Sequence, residues 1–157
     1  MHSNPDSQWA YFGLTILALF LKQLGVLLVL ARERFGRGRG LDNPEDKAFI
    51  DGLKTATTKA TEDQREIVNR ANRILANDAE NLPLFLAAAV AYIQLDAWGP
   101  GLPIYLCLFV LARIVHAVSY LQARQPSRHL AYQAGLWITL IMLAHAGIEA
   151  KDTLLSF

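Results

Sequence analysis

The chain has 157 residues, 53% hydrophobic and 18% charged, and its 15 basic and 14 acidic residues leave a formal net charge of +1. That balance excludes a disordered chain and a basic nucleic-acid-binding protein. The single cysteine, Cys107, lies in an apolar run, which excludes an internal disulfide and a cysteine-based zinc site.

The apolar residues fall in blocks about as long as a bilayer is thick, so the chain reads as an all-α integral membrane protein, one domain over residues 1–157. The first block, 11–31, is interrupted only by Lys22 and Gln23. About 20 helical residues cross ~30 Å of hydrocarbon, so it is long enough to span. Residues 1–9 carry no Lys or Arg, whereas Arg32, Arg34, Arg37 and Arg39 follow the apolar run. A cleavable signal peptide has the opposite charge order, so this segment is expected to remain as an anchor.

Residues 32–62 turn polar and read as a cytoplasmic loop. Gly36, Gly38 and Gly40 break the helix, and Asn43-Pro44-Glu45-Asp46 offers a capped restart for a short one. The glycine alternation follows no strand and lacks the lysine and hydroxyl of a phosphate loop, so it reads as a flexible turn. The second span, 66–96, is polar through Asn81 and apolar only from Leu82 to Leu95. Those 14 apolar residues cannot span alone, so the polar half must also enter the membrane region with its polar face against protein. Pro83 removes one backbone donor and is expected to bend this helix.

A third span, 102–121, carries Arg113 and His116, and a fourth covers 130–149 after a short connection containing Pro126. Trp9, Tyr11, Trp98 and Tyr105 fall near the predicted boundaries, where amphipathic rings favour the headgroup region. The first connection holds eight basic residues from Arg32 to Arg65, the third holds Arg124 and Arg128, and the opposite side has only Lys151. The positive-inside rule then makes both basic connections cytoplasmic and puts both termini on the non-cytoplasmic side.

Charges inside a membrane helix cost about 2.5 to 3.5 kcal/mol each on insertion scales, so those that remain face protein or a water-filled cavity. Arg70, Arg73, Asn77 and Glu80, spaced 3, 4 and 3 apart, occupy roughly one quarter of the helix circumference. Arg113, His116 and Tyr120 form a second stripe, and Arg128 and Tyr132 a third. Two readings compete. Interhelical ion pairs, Glu80 with Arg113 first among them, would hold the bundle in register. Glu80 is nevertheless one acid among four arginines, and Asp78 lies about a quarter turn off the stripe, so an anionic ligand is the economical completion. Lys22 is expected at a helix interface or central axis, its ammonium reaching a carbonyl or polar partner. His145 reads as a hydrogen-bonded interior residue, and no histidine has a second at i+3 or i+4, so no metal site is expected.

The order of these motifs, Asn43-Pro44-Glu45-Asp46, then Asn77-Asp78-Ala79-Glu80-Asn81-Leu82-Pro83, Arg113-Ile114-Val115-His116 with Tyr120, and Arg128 with Tyr132, resembles the MAPEG superfamily. This superfamily includes microsomal glutathione transferases and microsomal prostaglandin E synthase. The resemblance implies a homotrimer of four-helix subunits, twelve transmembrane helices in all, in a bacterial inner membrane or an endoplasmic-reticulum-type membrane. It implies glutathione held between subunits near the cytoplasmic face by Arg34, Arg70, Arg73, Asn77, Glu80, His116, Tyr120, Arg128 and Tyr132. Glu80 and Arg113 are expected as a structural pair and Arg128 as the catalytic residue that stabilises the thiolate. A free thiol ionises near pH ~8.5, and lowering that by about two units takes roughly 2.7 kcal/mol.

The implied activity is a glutathione transferase acting on hydrophobic electrophiles met in the lipid phase, with reduction of lipid hydroperoxides as a second reaction. His129 stands where the prostaglandin synthase has a serine, and Pro83 follows Glu80 by three residues, a feature closer to bacterial members. Both departures count against a prostaglandin-specific activity. The alternative is a non-catalytic lipid-binding scaffold of the same superfamily, against which the retained arginine stripe argues. A channel or transporter is disfavoured by the lack of inverted repeats and paired broken helices.

Overall fold

A computed structural model describes residues 5–35 and 62–155. Among these residues four α-helices follow in order: α1 (Pro5–Phe35), α2 (Glu62–Gln94), α3 (Gly101–Leu121) and α4 (Gln125–Leu155). Each is long and apolar enough to cross a membrane. The glycine-rich turn and the short helix expected between 36 and 61 lie outside the described residues. Helices are the economical answer for such a chain, because each backbone group finds its partner within its own segment and none is left facing lipid. Proline at the first position and Asp6 in the first turn suit the start of α1, as Glu62 and Asp63 suit that of α2. α2 continues through Pro83. Just before it, the Asn81 side chain donates to the Asn77 carbonyl at 2.7 Å, adding a bond where the proline weakens the ladder.

Two tight connections close in the same way. At the end of α2 the Ala97 amide donates to the Tyr92 carbonyl and the Asp96 amide to that of Ile93, both at 3.1 Å. At the end of α3 the Arg124 amide donates to Ser119 at 2.9 Å and the Ala123 amide to Tyr120 at 3.2 Å. Both are Schellman motifs, in which the residue one past the cap takes the left-handed conformation usually left to glycine. Here Asp96, with φ of 47°, and Ala123, with φ of 58°, occupy it instead. A glycine is required a few residues further on. A Cβ on Gly101 would run into the Trp98 ring and lie 2.8 Å from the Tyr92 hydroxyl, which itself donates to the Trp98 carbonyl at 2.7 Å.

α1 packs against α2 and α3, and α4 against the same two helices. The core divides into two apolar clusters. One is built from residues such as Leu19, Phe85, Tyr92, Leu102, Phe109 and Met142, with the Phe85 and Phe109 rings stacked at 3.5 Å. The smaller one contains Val26, Leu30, Ala71, Ile74 and Ala117. Leu14, Phe20, Leu28 and Trp137 lie on the outside of the bundle. In lipid such residues gain nothing from burial, so the clusters hold by close packing more than by escape from water.

A left-handed alanine costs about 1 kcal/mol that glycine does not incur. Ala123→Gly is therefore expected to stabilise the protein by roughly that amount, read as a raised thermal midpoint in detergent.

Candidate functional site

Between the two clusters, at the level of Lys22 on α1, three charges meet inside the bundle. Asp78 on α2 accepts from the Lys22 ammonium through Oδ2 and from Arg113 Nη2 on α3 through Oδ1, the latter at 2.7 Å. The side chains of Asp78 and Arg113 are each 1% exposed and that of Lys22 5%. The same Nη2 also donates to Asn77 Oδ1 at 2.6 Å. One carboxylate thus ties three helices together, and removing it would leave two buried cations facing each other.

This corrects the pairing expected from sequence. Arg113 is partnered by Asp78 and not by Glu80, which is exposed on the outer side of α2. The reason is helical phase. Asp78 follows Ala71 by seven residues and Ile74 by four, and precedes Phe85 by seven; all four residues are fully buried. It therefore lies on the inward face, while the stripe of Arg70, Arg73, Asn77 and Glu80 is rotated roughly a third of a turn away.

Nearer the end of α3 lies a second polar group. His116 is 3% exposed and its Nδ1 has no hydrogen-bond partner among the described residues. Its ring lies 5.6 Å from that of Tyr120 and 6.4 Å from that of Tyr132 on α4. The Arg128 guanidinium sits over the Tyr120 ring, 4.4 Å from its centre, and donates to Gln125 at 2.7 Å. Cation and ring attract through the ring's quadrupole, which holds the guanidinium in place without neutralising it. His116 and Tyr120 near the end of α3 and Arg128 and Tyr132 near the start of α4 are thus brought together.

The α2 stripe is only partly neutralised. Arg70 pairs with Glu66 one turn earlier and reaches the Leu121 carbonyl at 3.4 Å, fastening α2 to the end of α3. Arg73 and Arg128 meet no carboxylate among the described residues. Arg73 and Glu80 are exposed on a helix that can cross a membrane. Arg34 falls in the last turn of α1, and its side chain lies outside the described residues. His145 shares a 3.2 Å hydrogen bond with the Tyr105 hydroxyl, far along the bundle from His116.

The fold and these charges define a multi-pass, all-α protein suited to a membrane, with polar groups held inside and along one side of its helices. The sequence profile of the MAPEG family matches residues 12–148, and the chain belongs to that family. Its similarity to microsomal glutathione S-transferase 1 of Bos taurus is 39% identity over 105 residues, covering 64% of either chain. The Homo sapiens protein of the same name is 39% identical over 103 residues, again 64% of each. The match therefore spans less than two thirds of those relatives. A prostaglandin E synthase of Equus caballus is 32% identical over 122 residues, 77% of this chain and 75% of that one.

Removing the shared carboxylate tests the corrected pairing. Asp78→Asn is expected to cost about 3 to 5 kcal/mol, visible as loss of folded protein or a much lower thermal midpoint in detergent. Glu80→Gln, which leaves both pairings of Asp78 intact, is expected to cost much less than Asp78→Asn.

Proposed function

We propose that the protein is a membrane-bound glutathione transferase that joins the glutathione thiolate to hydrophobic electrophiles, with glutathione-dependent reduction of lipid hydroperoxides as an accompanying activity. The observation that carries this reading is the His116 group. A buried histidine with an unpartnered nitrogen stands beside two tyrosines and an arginine that meets no carboxylate among the described residues, in a chain of the MAPEG family. Orphaned donors and acceptors of this kind are expensive unless a ligand completes them.

Glutathione fits the chemistry of the set. It has two carboxylates, an amine and a thiol. Arg73 and Arg70 suit the carboxylates, Glu80 the amine, and Asn77, His116, Tyr120 and Tyr132 the remaining polar atoms, with Arg34 completing the cytoplasmic edge. Because Arg73 and Glu80 of the α2 stripe face outward, we place the stripe against the His116 group of a neighbouring copy, in a homotrimer of twelve helices. Such an assembly also removes Arg73 and Glu80 from lipid. The basic connections face the cytoplasm in this reading, and both termini the opposite side.

Arg128 is the catalytic residue. One guanidinium about 4 Å from a thiolate supplies ~4 kcal/mol at an effective dielectric near 20, enough to cover the roughly 2.7 kcal/mol of a two-unit shift. In conjugation the thiolate sulfur attacks the carbon that bears a halide, a C–S bond forms, and the halide leaves with its bonding pair. Approach from the lipid side selects hydrophobic partners.

Conjugation of an aryl halide in detergent tests the assignment. Arg128→Ala is expected to lower the rate by about twenty-five-fold near neutral pH, the fall in thiolate fraction when the lost two-unit shift returns the thiol to its ordinary range. The deficit should shrink as pH rises toward the ordinary thiol range, where glutathione ionises without help. A correctly folded variant with full activity removes Arg128 from the mechanism.

A further inference from the structure

The glutathione reading leaves Lys22 without a role, and the triad supplies one. Arginine carries only donors, so the amide oxygen of Asn77, and not its nitrogen, must face Arg113. The 2.6 Å contact from Nη2 to Oδ1 therefore fixes which way the amide is turned. Its Nδ2 donates to none of the described residues and is left for another acceptor.

What keeps Arg113 on Asn77 is the way Asp78 is shared. Arginine and carboxylate favour two parallel bonds, fork to fork. Asp78 offers Arg113 only Oδ1, because Lys22 holds Oδ2. Both of the guanidinium's bonds leave from Nη2, and its buried Nε has no partner among the described residues. Without Lys22 the second carboxylate oxygen becomes available to that Nε, and the fork can close on Asp78 at the expense of Asn77.

We propose that Lys22 is a positioning residue of the glutathione site: by holding Asp78 Oδ2 it keeps Arg113 Nη2 on Asn77 Oδ1, so that Asn77 Nδ2 is presented to an acceptor oxygen of the ligand. The role rests on glutathione being that ligand. It makes Asn77 a donor-only contact, suited to a carboxylate or peptide carbonyl and not to the amine.

Glutathione affinity by calorimetry, together with steady-state kinetics, tests this on the purified full-length protein in detergent. Lys22→Met leaves the balanced Arg113–Asp78 pair and is expected to fold. Its Kd and KM for glutathione should rise about tenfold, the size of one lost hydrogen bond to a ligand, while kcat at saturating glutathione stays within about twofold. Arg113→Lys, a second variant that keeps a cation on Asp78 but has no fork, should lose affinity to a similar degree. Asn77→Asp, which keeps an oxygen for Arg113 and loses the donor, should weaken binding at least as much. Wild-type affinity in any folded member of this set, or a fall in kcat with Kd unchanged in Lys22→Met, overturns the role. A wild-type protein that binds no glutathione overturns both this role and the function on which it rests, whereas normal wild-type binding with an indifferent Lys22→Met overturns the positioning alone.

Discussion

The interaction on which the rest of the bundle depends is the sharing of one carboxylate, Asp78, by Lys22 and Arg113. In a membrane protein the apolar faces of the helices are as content in lipid as against each other, so packing alone fixes register weakly. Three charges on three helices fix it strongly, because any slip separates a buried cation from its counter-charge. The two apolar clusters lie on either side of the triad, with Leu19 and Val26 flanking Lys22 and Phe109 and Ala117 flanking Arg113. Side-chain packing then fills the space that the ion pairs have already set.

The triad also decides what remains for the outside. Asp78 takes the inward phase of α2, and the phase next to it carries Arg73, Asn77 and Glu80. The polar residues of that helix therefore divide into a structural set held inside the bundle and a set on the neighbouring phase, of which Arg73 and Glu80 are exposed. The same division separates Arg113, whose charge is met, from Arg128, which is held over an aromatic ring and beside a neutral amide. Positive charge counted over the whole sequence overstates what a ligand has to supply. Among the described site residues, Arg73 and Arg128 are the arginines that meet no carboxylate.

Much of the fold was legible from the chain. Three breaks, the polar stretch after the first block, Trp98-Gly99-Pro100-Gly101 and the short connection before the last block, separate four helical blocks, since length and apolar content are read directly from residue order. The helix ends were read unevenly: those expected at 96 and 121 fall at Gln94 and Leu121, whereas α4, expected from 130, begins at Gln125. Ala123 and Asp96 close Schellman motifs without the usual glycine, so the turns themselves carried no residue signature. In the site, grouping charges by their mutual spacing picked out the Arg70 stripe but set Asp78 aside as off-phase. The apolar residues held the missing signal: Ala71, Ile74 and Phe85 share its face, and the direction of burial is set by them and not by the other charges. Lys22 was seen as out of place, but its partner lies 56 residues away, a distance across which helical periodicity carries no information.

The central claim is that the chain binds glutathione and lowers the pKa of its thiol. Adding glutathione to the purified protein near neutral pH, while following absorbance in the thiolate band, measures both at once. The account predicts a saturable rise above that of free glutathione, absent in Arg128→Ala. Saturable binding with no rise would contradict thiol activation, and no saturable signal alongside no binding would contradict the account as a whole.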